Sequence, residues 1–200
     1  MSKEKEPPIS LEDINDDDIP EKIPTKFINN RVIVFNHLYA SYLYVKLKFF
    51  GAPLGISKPR LEYFSKPSEL SLIEALYLLK NDKITIYDPK IDKFYAHDEF
   101  YGICKKIHHK FGEKFIIYQD LRKKGYIPRP GLKFGADFVV YKKGPGLEHS
   151  PFIAHVLPHD AKITAIDMVR AGRLATSVRK KFVIANPLTM SYYFFEWFKP

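Results

Sequence analysis

Tyr141 and His149 bound the stretch VVYKKGPGLEHS, in which an apolar run closes on a tyrosine, crosses a Gly-Pro-Gly loop and reaches a histidine. Further on, Val178-Arg179-Lys180-Lys181 ends a helical pattern in a run of cations. A tyrosine, a histidine and a lysine suffice to cleave RNA without a metal. One group takes the proton of a ribose 2′-hydroxyl, one protonates the departing 5′-oxygen, and one stabilises charge on the phosphorane. Histidine suits the acid because its reference pKa of about 6.5 lies near working pH. Tyrosine, at about 10, suits the base only where a nearby cation favours phenolate. Lysine supplies such a cation and can hold phosphate oxygens. Each residue also has a bland reading: a rim tyrosine, a loop histidine, a cation at a helix C-terminus.

Other chemistries find less support. Cys/His pairs at zinc spacing, a P-loop, GxSxG and GxGxxG are all absent. His108-His109 lie on a lysine-rich helical pattern and read as solvated or stacking groups. His155 alternates with apolar neighbours and reads as a core residue or one that supports a site from behind. Asp137 followed by Lys142 faintly suggests a metal nuclease, but Val139 and Val140 stand where a second strand acid is needed. Neither a metal nor another cofactor is expected. Cys104, the single cysteine, reads as a small buried hydrophobe.

The elements that position these residues follow from charge and periodicity. Residues 1–25 carry eight acids against three lysines, which leaves +14 on residues 26–200 out of a net +9. So large a positive excess favours a polyanionic partner, with nucleic acid foremost. The acidic, Pro-containing 1–25 reads as a flexible tail without a secretory h-region. No apolar run approaches the roughly 18 residues of a membrane helix, and one thiol fits a reducing, cytoplasmic setting.

A first α+β domain is expected over 26–97. It would hold a strand at Arg31–Phe35, a helix from His37 to Phe50, a helix from Ser68 to Leu79 and a strand at Ile84–Tyr87. Ser71 with Glu74 three residues on forms a capping box. A second domain, 98–200, is expected to hold helices at about 99–110 and 113–124 separated by Gly112. Strands at Lys133–Tyr141 and Phe152–Leu157 follow, then a helix from Thr164 to Ser177 and strands at Phe182–Ala185 and Tyr192–Phe198.

Several long motifs in order now carry a resemblance. YQDLRKKGYIPRPGLKFGADFVVYKKGPGLEHSPFIAHVL and ITAIDMVRAGRLATSVRKKFVIA, spanning about 118–186, closely resemble the archaeal tRNA-splicing endonuclease, and ELSLIEALYLL resembles its N-terminal domain. The resemblance implies an α/β chain: a small α+β N-terminal domain, then a nuclease-type domain with a mixed β-sheet flanked by helices. It implies metal-independent cleavage of precursor tRNA at bulge-helix-bulge sites, leaving 2′,3′-cyclic phosphate and 5′-hydroxyl ends. Tyr141 matches the family's general base and His149 its general acid. Lys180 matches the residue that stabilises the transition state, with Lys181 one position off. Arg173 matches an arginine that clamps a bulge base from the opposing subunit by a cation–π contact. The family's second clamping arginine has no counterpart, because Tyr192 to Phe195 are all aromatic. The implied assembly is a homotetramer, or two catalytic plus two structural subunits. The C-terminal strand would be its contact surface, with Phe195, Trp197 and Phe198 buried there.

Overall fold

The computed structural model describes residues 15–56, 59, 62–157, 161–178 and 180–195; the side chains of Asp167, Arg170 and Val178 are outside the description. The chain divides after Gly102 into two compact units. No helix among the described residues is long and apolar enough to cross a membrane.

The first unit begins with a strand that the reading of the sequence lacks, β1 (Ile23–Ile28). Ile23, Thr25 and Phe27 point inward while Pro24 and Lys26 point out, the period-2 pattern of a half-covered sheet. Asn29 and Asn30 both adopt positive φ, 49° and 62°, and turn β1 directly into β2 (Arg31–Val34). Asparagine tolerates that region, which a two-residue hairpin turn demands. Strands β3 (Ala52–Pro53), β4 (Ser68–Leu70), β5 (Ile84–Asp88) and β6 (Lys93–Phe94) complete a sheet of order β3-β4-β2-β1-β5-β6, with only β1 and β5 parallel.

Helix α1 (His37–Val45) is capped by the Asn36 side chain and is shorter than the expected run to Phe50. Lys48 and Phe49 leave the helical region at φ 65° and 66°, and this turn buries Phe49 and Phe50. Burying two aromatic rings outweighs another helical turn. Helix α2 (Leu72–Lys80) carries the expected capping box, with the Ser71 N–H donating to Glu74 Oε2 at 2.9 Å. Ser68–Leu70, expected as its first turn, is instead β4.

In the second unit Cys104 is buried on α3 (His97–Ile107), and burial pushes its thiol up to about 12. The break before α4 (Phe111–Lys123) falls at Lys110, φ 59°, while Gly112 lies inside α4. Strands β7 (Ile127–Pro130), β8 (Phe138–Tyr141), β9 (Phe152–Val156), β10 (Lys181–Asn186) and β11 (Ser191–Phe195) form a sheet of order β11-β10-β9-β8-β7. Only β9 and β10 are parallel, joined by the crossover helix α5 (Ala165–Val178). The expected long strand Lys133–Tyr141 starts only at Phe138, because Leu132–Phe134 make a single 3-10 turn. Gly131 permits that turn: a Cβ there would meet the Phe138 carbonyl carbon at 2.7 Å.

The two faces of this sheet divide by residue parity. Val139, Ile153, Phe182 and Ile184 pack with Ala171 and Ala175 of α5. On the opposite face the rings of Tyr118, from α4, and Phe138 lie 5.9 Å apart.

Asp137 ties three of these elements together. Its carboxylate takes Lys114 Nζ of α4 at 2.7 Å, His155 Nδ1 of β9 at 3.0 Å and the Val156 N–H at 2.8 Å. Burial would raise its pKa, but those three donors hold the carboxyl down at about 2. A folded pKa depressed from 3.8 to about 2 is worth on the order of 2 kcal/mol. Because the shift is downward, that stability is present above pH ~4 and is lost as pH falls toward 2. Asp137→Asn should therefore lower the free energy of urea unfolding by about 2 kcal/mol at pH 7, and the deficit should close between about pH 4 and 2. A deficit unchanged at pH 2 would mean that the charge is not what Asp137 contributes.

Candidate active site

The strands bring the sequence candidates to one end of the second sheet. Tyr141 is the last residue of β8, opposite Ile127 of β7, and lies on the α5 face with Val139. Beyond it the chain loops to Pro151 and enters β9, and His149 sits on that loop. Lys180 stands between the end of α5 and the first residue of β10. The parallel register Lys181↔Phe152 aligns that junction with the start of β9. The three segments that carry these residues thus meet where β8 ends and β9 and β10 begin.

Lys180 is anchored there. Its Nζ donates to the Ser150 carbonyl at 3.0 Å and lies 5.8 Å from the centre of the Phe134 ring. Partial burial lowers its pKa from the ordinary lysine value. Phe134 and Tyr141 both border the α5-side core cluster, so Lys180 and Tyr141 share one face. Lys181 begins β10 itself, and its N–H reaches the Pro151 carbonyl at 3.3 Å. Lys180 thus stands ahead of the strand with its ammonium on the Ser150 carbonyl, while Lys181 is exposed on β10.

Tyr141 is half-buried, and burial raises its pKa. Arg129 pulls in the other direction and Glu148 adds to the rise. Arg129 is the cation that a phenolate would need, and the sequence reading missed it because Ile127–Pro130 was not recognised as a strand. The register of β7 on β8 reveals it: Ile127 pairs with Tyr141 and Arg129 with Val139, so Arg129 and Tyr141 share one face.

The loop between β8 and β9 is tightly made. Gly144 and Gly146 take φ of 131° and 86°, values that a side chain would oppose. The Glu148 carboxylate accepts the N–H groups of Lys142 and Lys143, the latter at 2.6 Å, with Gly144 contributing a third. These donors hold the Glu148 carboxyl below its usual range. His149 itself is exposed and has no side-chain hydrogen bond among the described residues.

The other candidates separate from this cluster. Arg173 is exposed on α5, and no hydrogen bond, ion pair or ring contact among the described residues links it to Tyr141, His149 or Lys180. His155 is not a core residue: its side chain is half exposed, and Asp137 holds its Nδ1. That pairing, with Lys114 and the Val156 N–H, commits the Asp137 oxygens to three donors. Among the described residues no three His, Cys, Asp or Glu side chains group as a metal site. His108 lies nearly parallel to the Phe111 ring at 6.5 Å, the stacking role expected of it.

Comparison with known proteins matches both units. Residues 111–189 match the catalytic C-terminal domain of tRNA intron endonucleases, and residues 23–101 match the N-terminal domain of the same family. A tRNA-splicing endonuclease of Hyperthermus butylicus is 40% identical over 174 residues, covering 85% of this chain and 95% of that protein. Proteins of the same name from Saccharolobus islandicus and Saccharolobus solfataricus are each 37% identical over 177 residues, covering 86% of this chain and 96% of theirs. Two domains matched in order, with relatives aligned over nearly their full length, establish that this chain belongs to the tRNA intron endonuclease family of endoribonucleases.

Proposed function

We propose that the chain is a catalytic subunit of a tRNA-splicing endonuclease that cuts precursor tRNA at bulge-helix-bulge intron boundaries without a metal. The observation that carries the reading is the Lys180 ammonium seated on the Ser150 carbonyl. That bond supports the reading because it holds a cation at the residue that follows His149 in the chain. In the reaction, the Tyr141 phenolate takes the 2′-hydroxyl proton and the 2′-oxygen attacks phosphorus. The P–O5′ bond breaks, and protonated His149 gives its proton to the leaving 5′-oxygen. Lys180 neutralises the non-bridging oxygens meanwhile. The products are a 2′,3′-cyclic phosphate and a 5′-hydroxyl, and solvent returns both side chains to their starting forms. Arg173, facing outward, is free to reach RNA held by another subunit.

Assembly belongs to the same proposal. Among the described residues, strand β11 has β10 as its one neighbour and is an edge of the sheet. Tyr193 and Phe194 point to opposite faces and are 53% and 58% exposed. An apolar edge of this kind invites pairing with another chain. Phe195 is turned partly inward, 6.3 Å from Phe182, while Trp197 and Phe198 lie outside the described residues. The partners are further subunits, in a homotetramer or with two structural subunits.

Cleavage of a precursor tRNA should persist in excess chelator and yield cyclic-phosphate ends. His149→Ala and Tyr141→Phe should each cost about 10²–10⁴ in rate with RNA binding nearly intact. Equal losses of binding and cleavage, or a dependence on magnesium, would remove the reading. Lys180→Ala should cost about 10²–10³ while Lys181→Ala stays within a few-fold of the parent. The reverse ranking would shift the catalytic lysine by one position. For assembly, the double substitution Tyr193→Lys, Phe194→Lys changes residues exposed in the single chain, so the fold should survive. Light scattering should then report folded, dissociated subunits, and an unchanged mass would place the interface elsewhere.

A further inference from the structure

His149 carries no side-chain bond of its own among the described residues, yet both of its neighbours are tied down. On one side, the Ser150 carbonyl accepts the Lys180 ammonium at 3.0 Å. On the other, the Glu148 carboxylate accepts the N–H groups of Lys142 and Lys143. Those donors follow Tyr141 directly in the chain. The turn is closed further by the Leu147 N–H on the Gly144 carbonyl at 3.2 Å and by a bridge between Pro145 and Glu148. The carboxylate therefore gathers the start of the loop onto its end, and it is the side chain that bridges the span from Tyr141 to His149.

We infer that Glu148 is a positioning residue of the cleavage reaction, fixing His149 relative to Tyr141 across the scissile phosphate. The inference rests on the proposed roles of Tyr141 and His149. Backbone N–H groups converging on one carboxylate oxygen are strong, charge-assisted bonds and leave the loop few alternatives. A loop with glycines at φ 131° and 86° would otherwise sample many conformations. A general acid displaced by about 1 Å loses on the order of 10²-fold in rate. Glu148 has a second influence, because its charge raises the pKa of the Tyr141 phenol. Removing it would ease proton loss from the base while loosening the acid, so the two effects oppose each other in the rate and differ in their pH dependence.

The test compares Glu148→Ala and Glu148→Gln in the assembled enzyme, with single-turnover cleavage and precursor-tRNA binding measured together. Glu148→Ala should lower the cleavage rate about 10²-fold with binding unchanged. Glu148→Gln keeps an oxygen that can accept the same N–H groups, so it should recover most of the rate; a charge-only role would make Gln as poor as Ala. In the His149→Ala background, Glu148→Ala should cause no further loss, since a positioning residue acts through the group it positions and only the eased proton loss from Tyr141 remains. Full activity of Glu148→Ala, or an undiminished loss in that background, would overturn the inference. An inactive parent enzyme would instead remove the functional reading beneath it, so the two failures are told apart.

Discussion

The parallel pairing of β9 with β10 is the constraint on which the catalytic unit depends. Parallel neighbours need a crossover, and α5 supplies it, so the chain leaves one end of β9 and must return to the other. That return delivers Lys180 beside Ser150, although 30 residues separate them. The same geometry buries Ala171 and Ala175 against Ile153, Phe182 and Ile184. Small residues on the inner face of α5 let the helix lie close to the sheet. The site's rigidity is therefore inherited from a core rather than assembled by the loop alone.

Asp137 does for the far end of β9 what Glu148 does for the loop at its near end. Each is an acid in a strongly basic chain: Asp137 takes donors from α4 and β9, and Glu148 takes consecutive N–H groups from the start of its own loop. A buried carboxylate is tolerable only when such donors replace its lost water, and Asp137 has three. Its low pKa is thus a structural signature. The faint suggestion of a metal nuclease in Asp137 and Lys142 came from reading the acid without its partners.

How much of this was legible in the sequence varied with the physics of each element. The capping box at Ser71 and Glu74, and the crossover helix after Thr164, follow local rules and could be read directly. The α/β class was legible through motif order. Strand β1 was not, because an acidic, Pro-rich lead-in masked the alternation of Ile23, Thr25 and Phe27. Neither was the end of α1, where burial of Phe49 and Phe50 overrode helical periodicity. Gly112 misled in the opposite sense: a glycine marks a break only when the backbone there needs it, and Lys110 took the left-handed turn. Arg129 and the donors of Glu148 depend on cross-strand register and loop closure, neither of which a linear pattern displays.

The electrostatics of the site set an order on the proposed chemistry. Burial disfavours the charged form of both Tyr141 and Lys180, raising one pKa and lowering the other. A phosphate entering between them changes the two groups in opposite ways. Its negative charge stabilises the ammonium of Lys180 and, left uncompensated, would make the phenolate of Tyr141 harder to form. The base can therefore act only where cations offset the phosphate, which requires Lys180 on the phosphate oxygens and Arg129 near the phenol. A cation held by a backbone carbonyl suits that purpose, because the neutral Ser150 oxygen orients the ammonium without cancelling its charge. An acid in that position would have fixed Lys180 as firmly and neutralised it for the proposed role.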